Sequence, residues 1–313
     1  MTTEADAESA HSYDLERLRR DMLHETAGEV DDSIPELAAS DPGVCGIAIV
    51  DGEGDTRATA DARLKFSIQS AVKPFVYALA LRDGGESVLD KVGTEPTGEA
   101  FDAVRLESDT GRPPNPMVNA GALLTASLVD GSSPDERFDR ILRGISAFAG
   151  RELRIDRAVS ESEQLLGDRN RALGYLMRSA GTLSVSVDDA VSVYARACSI
   201  VVSAEVLAVM GATLAFGGRN PVTGVQVVPA KVVTTVLSVM ATCGMYDGSG
   251  RWLRRVGLPA KSGVSGGLVA AAPRRLGLGV YSPPLDEEGN SARGALVCEH
   301  LSDDLGLHVF GSA

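Results

Sequence analysis

The stretch Phe66-Ser-Ile-Gln-Ser-Ala-Val-Lys-Pro-Phe75 decides the fold of this 313-residue chain. From Ser70 to about Asp83 the apolar residues recur at helical spacing, and Gly84-Gly85 supplies a stop signal. Pro74 falls in the first turn of this helix, where its missing N–H costs little. The pattern therefore predicts a helix with Ser70 at its N-terminus.

The start of this helix also holds a candidate nucleophile and base. Side chains three residues apart share a helix face, so the Lys73 amine can approach the Ser70 hydroxyl, and a partly buried lysine can lose its proton. The N-terminal dipole and free N–H groups could stabilise an oxyanion formed at the same serine. A short pattern of this kind also arises by chance. A serine N-cap followed by a surface lysine is the structural alternative.

A second short motif, Lys261-Ser-Gly263, opens a glycine-rich strand. In serine amidases of the penicillin-recognising type, a Lys-Thr/Ser-Gly strand edge lines the site beside a Ser-x-x-Lys helix. Its lysine adds positive potential, and a backbone N–H completes the oxyanion hole. Alone, Lys-Ser-Gly could be a turn. The two motifs together, in this order, indicate a serine hydrolase.

The rest of the chain predicts an α+β fold. The order is a hairpin, a helix, a helical insert, strands and a last helix, with helical periodicity dominating residues 86–245. We expect one catalytic domain over residues 1–313, made of an α/β lobe (25–85 and 246–313) with a mainly antiparallel sheet and an all-helical lobe (86–245). The predicted elements include the hairpin Gly43–Ala60, the helices Asn119–Val129, Arg169–Ser179, Asp188–Val201, Lys231–Thr242 and Ser291–Asp304, the strands Ala260–Ala271 and Leu276–Ser282, and a strand-like end at Gly306–Phe310.

Composition excludes several kinds of partner. A net charge of −13 repels phosphate backbones and anionic lipid, and no basic block reverses this locally, so we expect neither nucleic acid nor membrane as a partner. The N-terminus shows no secretory leader pattern, which favours a cytoplasmic location. The cysteines are scattered singly and the four histidines lack metal-ligand spacing, so buried thiols are expected and no metal or other cofactor. The cysteines are Cys45, Cys198, Cys243 and Cys298.

Seven stretches make the chain resemble the glutaminases of the serine β-lactamase-like superfamily. They follow one another in the order of that family from about residue 28 to the C-terminus. The stretches are Phe66–Phe75, Glu95–Gly98, Asn115–Gly121, Ser162-Glu163 with Arg169–Ala172, Cys243–Gly250, Pro259–Val264 and Ser282–Asn290. The resemblance implies a β-lactamase-like fold, hydrolysis of the side-chain amide of L-glutamine, no cofactor, and a homo-oligomer, either dimer or tetramer.

The resemblance also implies a role for each matching site residue. Ser70 would be the nucleophile and Lys73 its base. Tyr246 would lie near the serine oxygen and relay a proton to the departing ammonia. The backbone N–H groups of Ser70 and Val264 would form the oxyanion hole, so Ser70, Tyr246 and Val264 would all contact the substrate. The positions that would hold its amino-acid end are Asn119, Glu163, Asn170 and Tyr194.

Physical chemistry agrees with this division of the binding residues. Glu163 can supply the anionic partner that a free α-amino group needs, while amides and a phenol can satisfy the α-carboxylate without a second buried charge. Each residue also has a structural alternative. Glu163 and Asn170 could begin a solvated helix, Tyr194 could be a half-buried core aromatic, and Asn119 could be an N-cap.

Three positions depart from the family pattern. Ser33 stands where a substrate-side tyrosine is expected, and it cannot reach or stack as a phenol would. The segment Phe101-Asp-Ala103 lacks the usual Asn and Ser, and Pro74 after the lysine is less usual. Two alternatives therefore stay open: a catalytically weakened amino-acid-binding or regulatory protein on this scaffold, and a penicillin-recognising serine hydrolase.

Overall fold

A computed structural model describes residues 12–98 and 103–311 of the chain. Residues 1–11 and most of the Phe101-Asp-Ala103 segment lie outside the described residues. Within them the expected α+β class is confirmed: a five-stranded antiparallel sheet packs against helices, in the strand order β2-β1-β7-β6-β5. No helix among these residues has the length and apolarity needed to cross a bilayer.

The strands come from both ends of the chain. A separate two-stranded ladder, β3 with β4, lies beside the main sheet. The strands are β1 Gly46–Asp51, β2 Thr56–Ala58, β3 Phe66–Ser67, β4 Val201–Val202, β5 Ala260–Ser262, β6 Gly267–Ala272 and β7 Leu276–Tyr281.

The helices fill the segments between the strands. Three 3-10 turns, Ala60–Arg63, Gln69–Val72 and Tyr246–Gly248, join them. The α-helices are α1 Leu15–Met22, α2 Pro35–Ala38, α3 Lys73–Gly84, α4 Ser87–Lys91, α5 Asn119–Leu128, α6 Pro134–Ala149, α7 Arg157–Leu165, α8 Asp168–Ser179, α9 Val187–Cys198, α10 Ala204–Ala215, α11 Ala230–Cys243, α12 Ser249–Arg255 and α13 Ala292–Leu305.

Two glycines explain why α10 lies directly on the sheet. A Cβ at Gly277 would lie 2.0 Å from the Ala212 nitrogen, and one at Gly279 would lie 2.1 Å from the Ala204 carbonyl oxygen. Only a residue without a side chain allows backbone to approach that closely. Helices α1 and α13 cover the other face of the sheet. Helix α10 falls inside the range predicted for the helical lobe but packs on the sheet, and the lobe boundaries stay a prediction.

Helix α3 runs through the centre of the helical part. Every residue from Lys73 to Leu81 is buried, and α5, α6 and α11 pack around it. A helix that is apolar all round is stable only when other elements surround it. The central helix therefore carries Lys73 into the interior, where water competes little for its amine.

Three sequence predictions need correction. The segment Gly306–Phe310 is not a strand, because Gly306 caps α13 in the left-handed conformation and a turn closes from His308 to Gly311. The predicted strand Ala260–Ala271 is two antiparallel strands, since residues 263–266 form a turn. Ser70 lies in the 3-10 turn that precedes α3 rather than at the first residue of the α-helix. The expected burial of the four thiols is confirmed.

Candidate active site

The main chain around Ser70 is held from both sides. Strand β3 pairs with β4, and the Ile68 N–H donates to the Ile200 carbonyl at 2.8 Å. The next residue, Gln69, has a φ of 49°. A left-handed conformation costs a non-glycine residue about 1–2 kcal/mol and is retained where the surrounding structure enforces it. This sharp turn places the Ser70 side chain at a strand-to-helix corner, only 6 % exposed.

Gly263 brings the edge of β5 against this corner. A Cβ at Gly263 would lie 2.8 Å from the Ile68 carbonyl oxygen and 3.2 Å from the nitrogens of Ser70 and Ala71. The third residue of the Lys-Ser-Gly motif must therefore be glycine for strand and turn to meet. The closeness also brings the neighbouring Val264 main chain near the Ser70 N–H.

The Lys73 amine is fully buried and anchored by two acceptors. Its Nζ donates to the Met117 carbonyl at 3.0 Å and to Asn119 Oδ1 at 2.7 Å. The Asn119 amide in turn donates to Asn170 Oδ1 at 3.2 Å. Two of the predicted substrate-binding residues are thus joined to the predicted base in one polar network. Asn119 is the first residue of α5 and is therefore not the N-cap that the structural alternative made it. The N-cap position is Val118, which makes no side-chain cap.

Tyr246 closes the opposite side of Ser70. Its hydroxyl donates to the Ser262 carbonyl at 3.1 Å, and the Ser70 side chain hydrogen-bonds to the same phenol oxygen. Burial raises the pKa of Tyr246 well above its usual range, and the bond from Ser70 only partly offsets this. Its φ of 56° is again left-handed, so the corner that holds the phenol is strained as well.

Lys261 lies on the face of the Tyr246 ring. Its Nζ is 3.6 Å from the ring centroid and donates to the Ser262 carbonyl at 2.6 Å, the same oxygen that Tyr246 uses. Burial, and then the neighbouring Lys73, lower the pKa of Lys261 well below its usual range. This amine contacts the phenol of Tyr246.

Glu163 is a half-buried carboxylate at the site. Its carboxylate accepts a hydrogen bond from Gln69, and among the residues that the structure describes no lysine, arginine or histidine pairs with it. Burial raises the pKa of Glu163, with smaller contributions from Asp31 and Glu36. A half-buried carboxylate in this state favours an incoming cation.

Tyr194 is buried at the floor of the site. Burial, and then the adjacent Cys198, raise the pKa of the phenol far above its usual range, and Glu163 and Tyr246 lie near enough to add to this. Tyr194 thus lies near both Glu163 and Tyr246, while its side chain hydrogen-bonds to Cys198. The phenol is therefore protonated at neutral pH.

Val264 and Ser33 define the outer wall. Val264 is half-buried and packs on Ile34, Leu37 and Val159, and its N–H donates to no acceptor within the described ranges. Ser33 is exposed and its hydroxyl and N–H both bond to Asp31. The Ser33 hydroxyl therefore bonds within its own loop.

Sequence reasoning missed four groups that the structure places here. They are the side chain of Gln69, the carbonyls of Met117 and Ser262, and the Lys261 contact with Tyr246. Gln69 lies within the Phe66–Phe75 stretch, so the resemblance could have pointed to it as a site residue. The carbonyls leave no trace in a sequence, because any residue type supplies them.

The fold and this site together define a class of protein. An antiparallel sheet covered by helices, beside a helical part whose central helix follows a Ser-x-x-Lys sequence and meets a Lys-Ser-Gly strand edge, is the β-lactamase-like arrangement. Within that class the chain belongs to the glutaminase family, whose model, described as Glutaminase, matches residues 28–310. The expectation of an amidohydrolase of this family is confirmed.

Similar proteins agree over nearly the whole chain. A glutaminase of Clavibacter michiganensis subsp. michiganensis is 63 % identical over 302 residues, covering 96 % of this chain and 93 % of that protein. A crystal structure of Mglu in its glutamate form is 46 % identical with a TM-score of 0.91, covering 95 % of this chain and 69 % of the other. A Bacillus glutaminase structure is 34 % identical with a TM-score of 0.84, covering 94 % and 99 %.

Proposed function

We propose that this protein hydrolyses the side-chain amide of L-glutamine to L-glutamate and ammonia through an acyl-enzyme on Ser70. The observation that carries the proposal is the anchoring of Lys73. A neutral amine has two N–H groups and one lone pair; Met117 and Asn119 take the two N–H groups. The lone pair is then left for the Ser70 hydroxyl, as a general base requires.

The first half of the reaction forms the ester and releases ammonia. The Ser70 oxygen attacks the amide carbon while its proton passes to Lys73, and the N–H groups of Ser70 and Val264 stabilise the oxyanion. The carbon–nitrogen bond then breaks as the departing nitrogen receives that proton from Lys73 or through the Tyr246 hydroxyl. The bond between Ser70 and Tyr246 supports the second route, because it already joins the nucleophile to the phenol.

The second half repeats the steps with water as the nucleophile. Lys73 takes a proton from water, the hydroxide adds to the ester carbon, and the Ser70 oxygen leaves with that proton. Glutamate is the product, and the serine and lysine return to their starting states. Since no proton is gained or lost over the cycle by the protein, one lysine can serve both halves.

The substrate's amino-acid end is assigned to the opposite side of the site. Glu163 would pair with the α-ammonium, since no cation of the described chain occupies it. Asn119, Asn170 and the Tyr194 phenol would hold the α-carboxylate by neutral hydrogen bonds. Binding the cation at Glu163 also lowers the raised pKa of that carboxyl, so substrate and carboxylate stabilise each other's charge.

The direct test compares ammonia release by the wild-type protein and the Ser70→Ala variant, with glutamine and asparagine assayed side by side. We expect the variant to retain its fold and glutamine binding but to lose ammonia release. Near-normal release by Ser70→Ala refutes the proposed nucleophile. Glutamine binding without ammonia release by the wild type would instead favour a weakened binding protein, the alternative motivated by Ser33.

We also propose a homo-oligomer in the cytoplasm. Exposed apolar side chains at the C-terminus of α7 and within α8 support self-association, because exposed apolar surface often marks an interface. These side chains are Leu165, Leu166, Tyr175 and Leu176. The unpaired, buried cysteines support a reducing compartment. Light scattering on the purified protein and fractionation of cells test the two points; a monomer, or export of the protein, contradicts them.

A further inference from the structure

The carbonyl of Met117, one of the two acceptors of the Lys73 amine, belongs to a turn that is neither helix nor strand. The turn covers residues 115–118 and leads into α5, which begins at Asn119. A carbonyl within a helix or a strand is aimed by the regular hydrogen bonds of that element. The direction of the Met117 carbonyl must therefore be set by other contacts of the turn.

Asn115 makes three hydrogen bonds that hold this turn. Its Oδ1 accepts from the N–H groups of Met117 at 2.9 Å and Val118 at 3.2 Å, and its Nδ2 donates to the Glu95 carbonyl at 2.8 Å. Asparagine often bonds in this way to the main chain two residues further on in a turn. Asn115 is only 1 % exposed, so water competes little for these bonds. One buried side chain therefore fixes the turn.

The bond from Val118 acts on the same peptide unit that contacts Lys73. The Met117 carbonyl and the Val118 N–H belong to one planar trans peptide group. In a trans peptide group these two bonds point in opposite directions. Asn115 Oδ1 thus holds one side of the group, while Lys73 Nζ bonds to the other side. The Asn115 side chain therefore sets the direction in which this acceptor of Lys73 points.

Helix capping does not account for these contacts. An N-cap side chain accepts from N–H groups two or three residues further on, inside the first turn of its helix. The N-cap of α5 is Val118, whereas Asn115 bonds to N–H groups that precede Asn119, the first residue of the helix. The bond to Glu95 joins the turn to a different segment, whose main chain is itself held because the Glu95 N–H donates to the Pro114 carbonyl at 3.1 Å. The contacts of Asn115 therefore serve the turn rather than the helix.

We propose, on the basis of the proposed role of Lys73, that Asn115 is a positioning residue for this general base. By fixing the Met117 carbonyl, Asn115 keeps one N–H of the amine engaged. Asn119 Oδ1 engages the second N–H. An amine held by Asn119 alone turns about its Cε–Nζ bond, and its lone pair then faces Ser70 for only part of the time. Proton transfer from Ser70 then slows, although substrate binding is unchanged.

Two variants of nearly the same shape as asparagine test this role. Asn115→Leu removes all three hydrogen bonds, whereas Asn115→Asp keeps an acceptor for the Val118 N–H whether or not its carboxyl is ionised. We expect kcat of Asn115→Leu for glutamine to fall about 100-fold, because a misplacement of about 1 Å costs a factor of that size. KM should change little, since Glu163 and Tyr194 keep their places. Asn115→Asp should recover most of the lost kcat.

Asn220→Leu is the matched control. Asn220 is also fully buried, and its Oδ1 accepts from the N–H groups of Val222 at 2.9 Å and Thr223 at 3.0 Å. Its Nδ2 donates to the Phe148 carbonyl at 2.9 Å. The control therefore loses the same kinds of bond in a loop that supplies none of the predicted site residues. We expect it to lower the melting temperature as Asn115→Leu does, and to leave kcat unchanged.

Steady-state kinetics and melting curves on these proteins decide the matter. A folded Asn115→Leu protein with the kcat of the wild type overturns the positioning role, as does a loss confined to KM. An equal loss of kcat in Asn220→Leu, or no recovery in Asn115→Asp, also overturns it. If Asn115→Leu does not fold, Asn115→Ala replaces it with the same expected loss of kcat, because the smaller side chain admits a water to the freed N–H groups.

The Ser70→Ala variant separates this inference from the proposed function. Near-normal ammonia release by Ser70→Ala refutes the proposed function, whatever the variants of Asn115 show. An inactive Ser70→Ala protein together with an unchanged kcat in Asn115→Leu refutes the positioning role alone.

Discussion

Replacing Gly263 by alanine should move the strand edge away from the nucleophile without removing any catalytic side chain. The added methyl would lie 2.8 Å from the Ile68 carbonyl oxygen and 3.2 Å from the Ser70 nitrogen. Non-bonded heavy atoms are best separated by about 3.5–4.0 Å, so β5 must retreat by roughly 0.5 Å. The Val264 N–H then moves away from the point where the oxyanion forms.

The expected loss follows from the geometry of oxyanion stabilisation. Removing one donor of an oxyanion hole costs about 10²–10³ in kcat. We therefore expect kcat of Gly263→Ala for glutamine to fall about 100-fold, with KM little changed, because Glu163 and the amides that hold the amino-acid end lie elsewhere. Overpacking of this size costs about 1–3 kcal/mol of stability, which leaves the protein folded.

The matched control is Gly250→Ala. A Cβ at Gly250 meets no atom within 4 Å, and the residue lies in α12, where alanine is favoured over glycine by about 0.5–1 kcal/mol. Steady-state kinetics on the wild type and both variants, with melting curves, decide the matter. A folded Gly263→Ala protein with kcat close to that of the wild type would refute the proposed role of this strand edge.

Three further changes test other parts of the account. Glu163→Gln should raise KM about 100-fold, since it removes about 3 kcal/mol of ion pairing with the α-ammonium. Because burial raises the pKa of Glu163, wild-type kcat/KM should fall as pH drops through that raised pKa. The variant should not show this fall of kcat/KM at low pH. Lys261→Met should lower kcat about tenfold by releasing the Tyr246 ring, without loss of stability. Asp83→Asn should cost about 1–2 kcal/mol of unfolding free energy, because Arg140 loses its charged hydrogen bonds to Asp83 but stays partly exposed and keeps Asp130. Burial raises the pKa of Asp83, but the bonds from Arg140 and Arg82 outweigh burial and lower the pKa overall. The wild type therefore keeps this stability above the unfolded pKa near 4 and loses it as pH falls through the lowered pKa.

Exposed residues of the same type provide the controls for these three variants. Glu161→Gln, Lys91→Met and Asp90→Asn change charge at exposed positions of α7, α4 and α4. Kinetics over a range of pH compare Glu163→Gln with Glu161→Gln. Measurements of kcat and melting temperature compare Lys261→Met with Lys91→Met. Denaturant unfolding at pH 7 and pH 3 compares Asp83→Asn with Asp90→Asn. An unchanged KM in Glu163→Gln, an unchanged kcat in Lys261→Met, or equal stability of Asp83→Asn and Asp90→Asn contradicts the corresponding expectation.

The sequence predicted the elements whose signal is local. The apolar spacing after Ser70 gave the central helix, and the glycine and aspartate turn at 52–55 gave the hairpin of β1 and β2, both of which the structure has. The two short motifs, Ser-x-x-Lys and Lys-Ser-Gly, indicated a serine hydrolase because their order and their contexts agreed. The resemblance then supplied the binding residues, which no spacing rule would have selected.

What escaped prediction depends on contacts between distant segments. Leu307 and Val309 are two residues apart, as the apolar residues of a strand are, but the chain turns there and the Val309 N–H donates to the Gly257 carbonyl rather than to a sheet edge. The left-handed φ of Gln69 is not visible in sequence, since glutamine seldom adopts it and the surrounding main chain enforces it. The sequence of helix α10 has the same helical periodicity as the helices around it. Its packing on the sheet depends on the glycines of β7, which let its backbone approach closely.

The measurement that tests the central claim most directly is mass spectrometry of the protein quenched during turnover of glutamine. The account predicts one glutamyl group attached as an ester to the peptide that contains Ser70, present in the wild type and absent from Ser70→Ala. A glutamyl group on another residue, or continued ammonia release by Ser70→Ala, would contradict it.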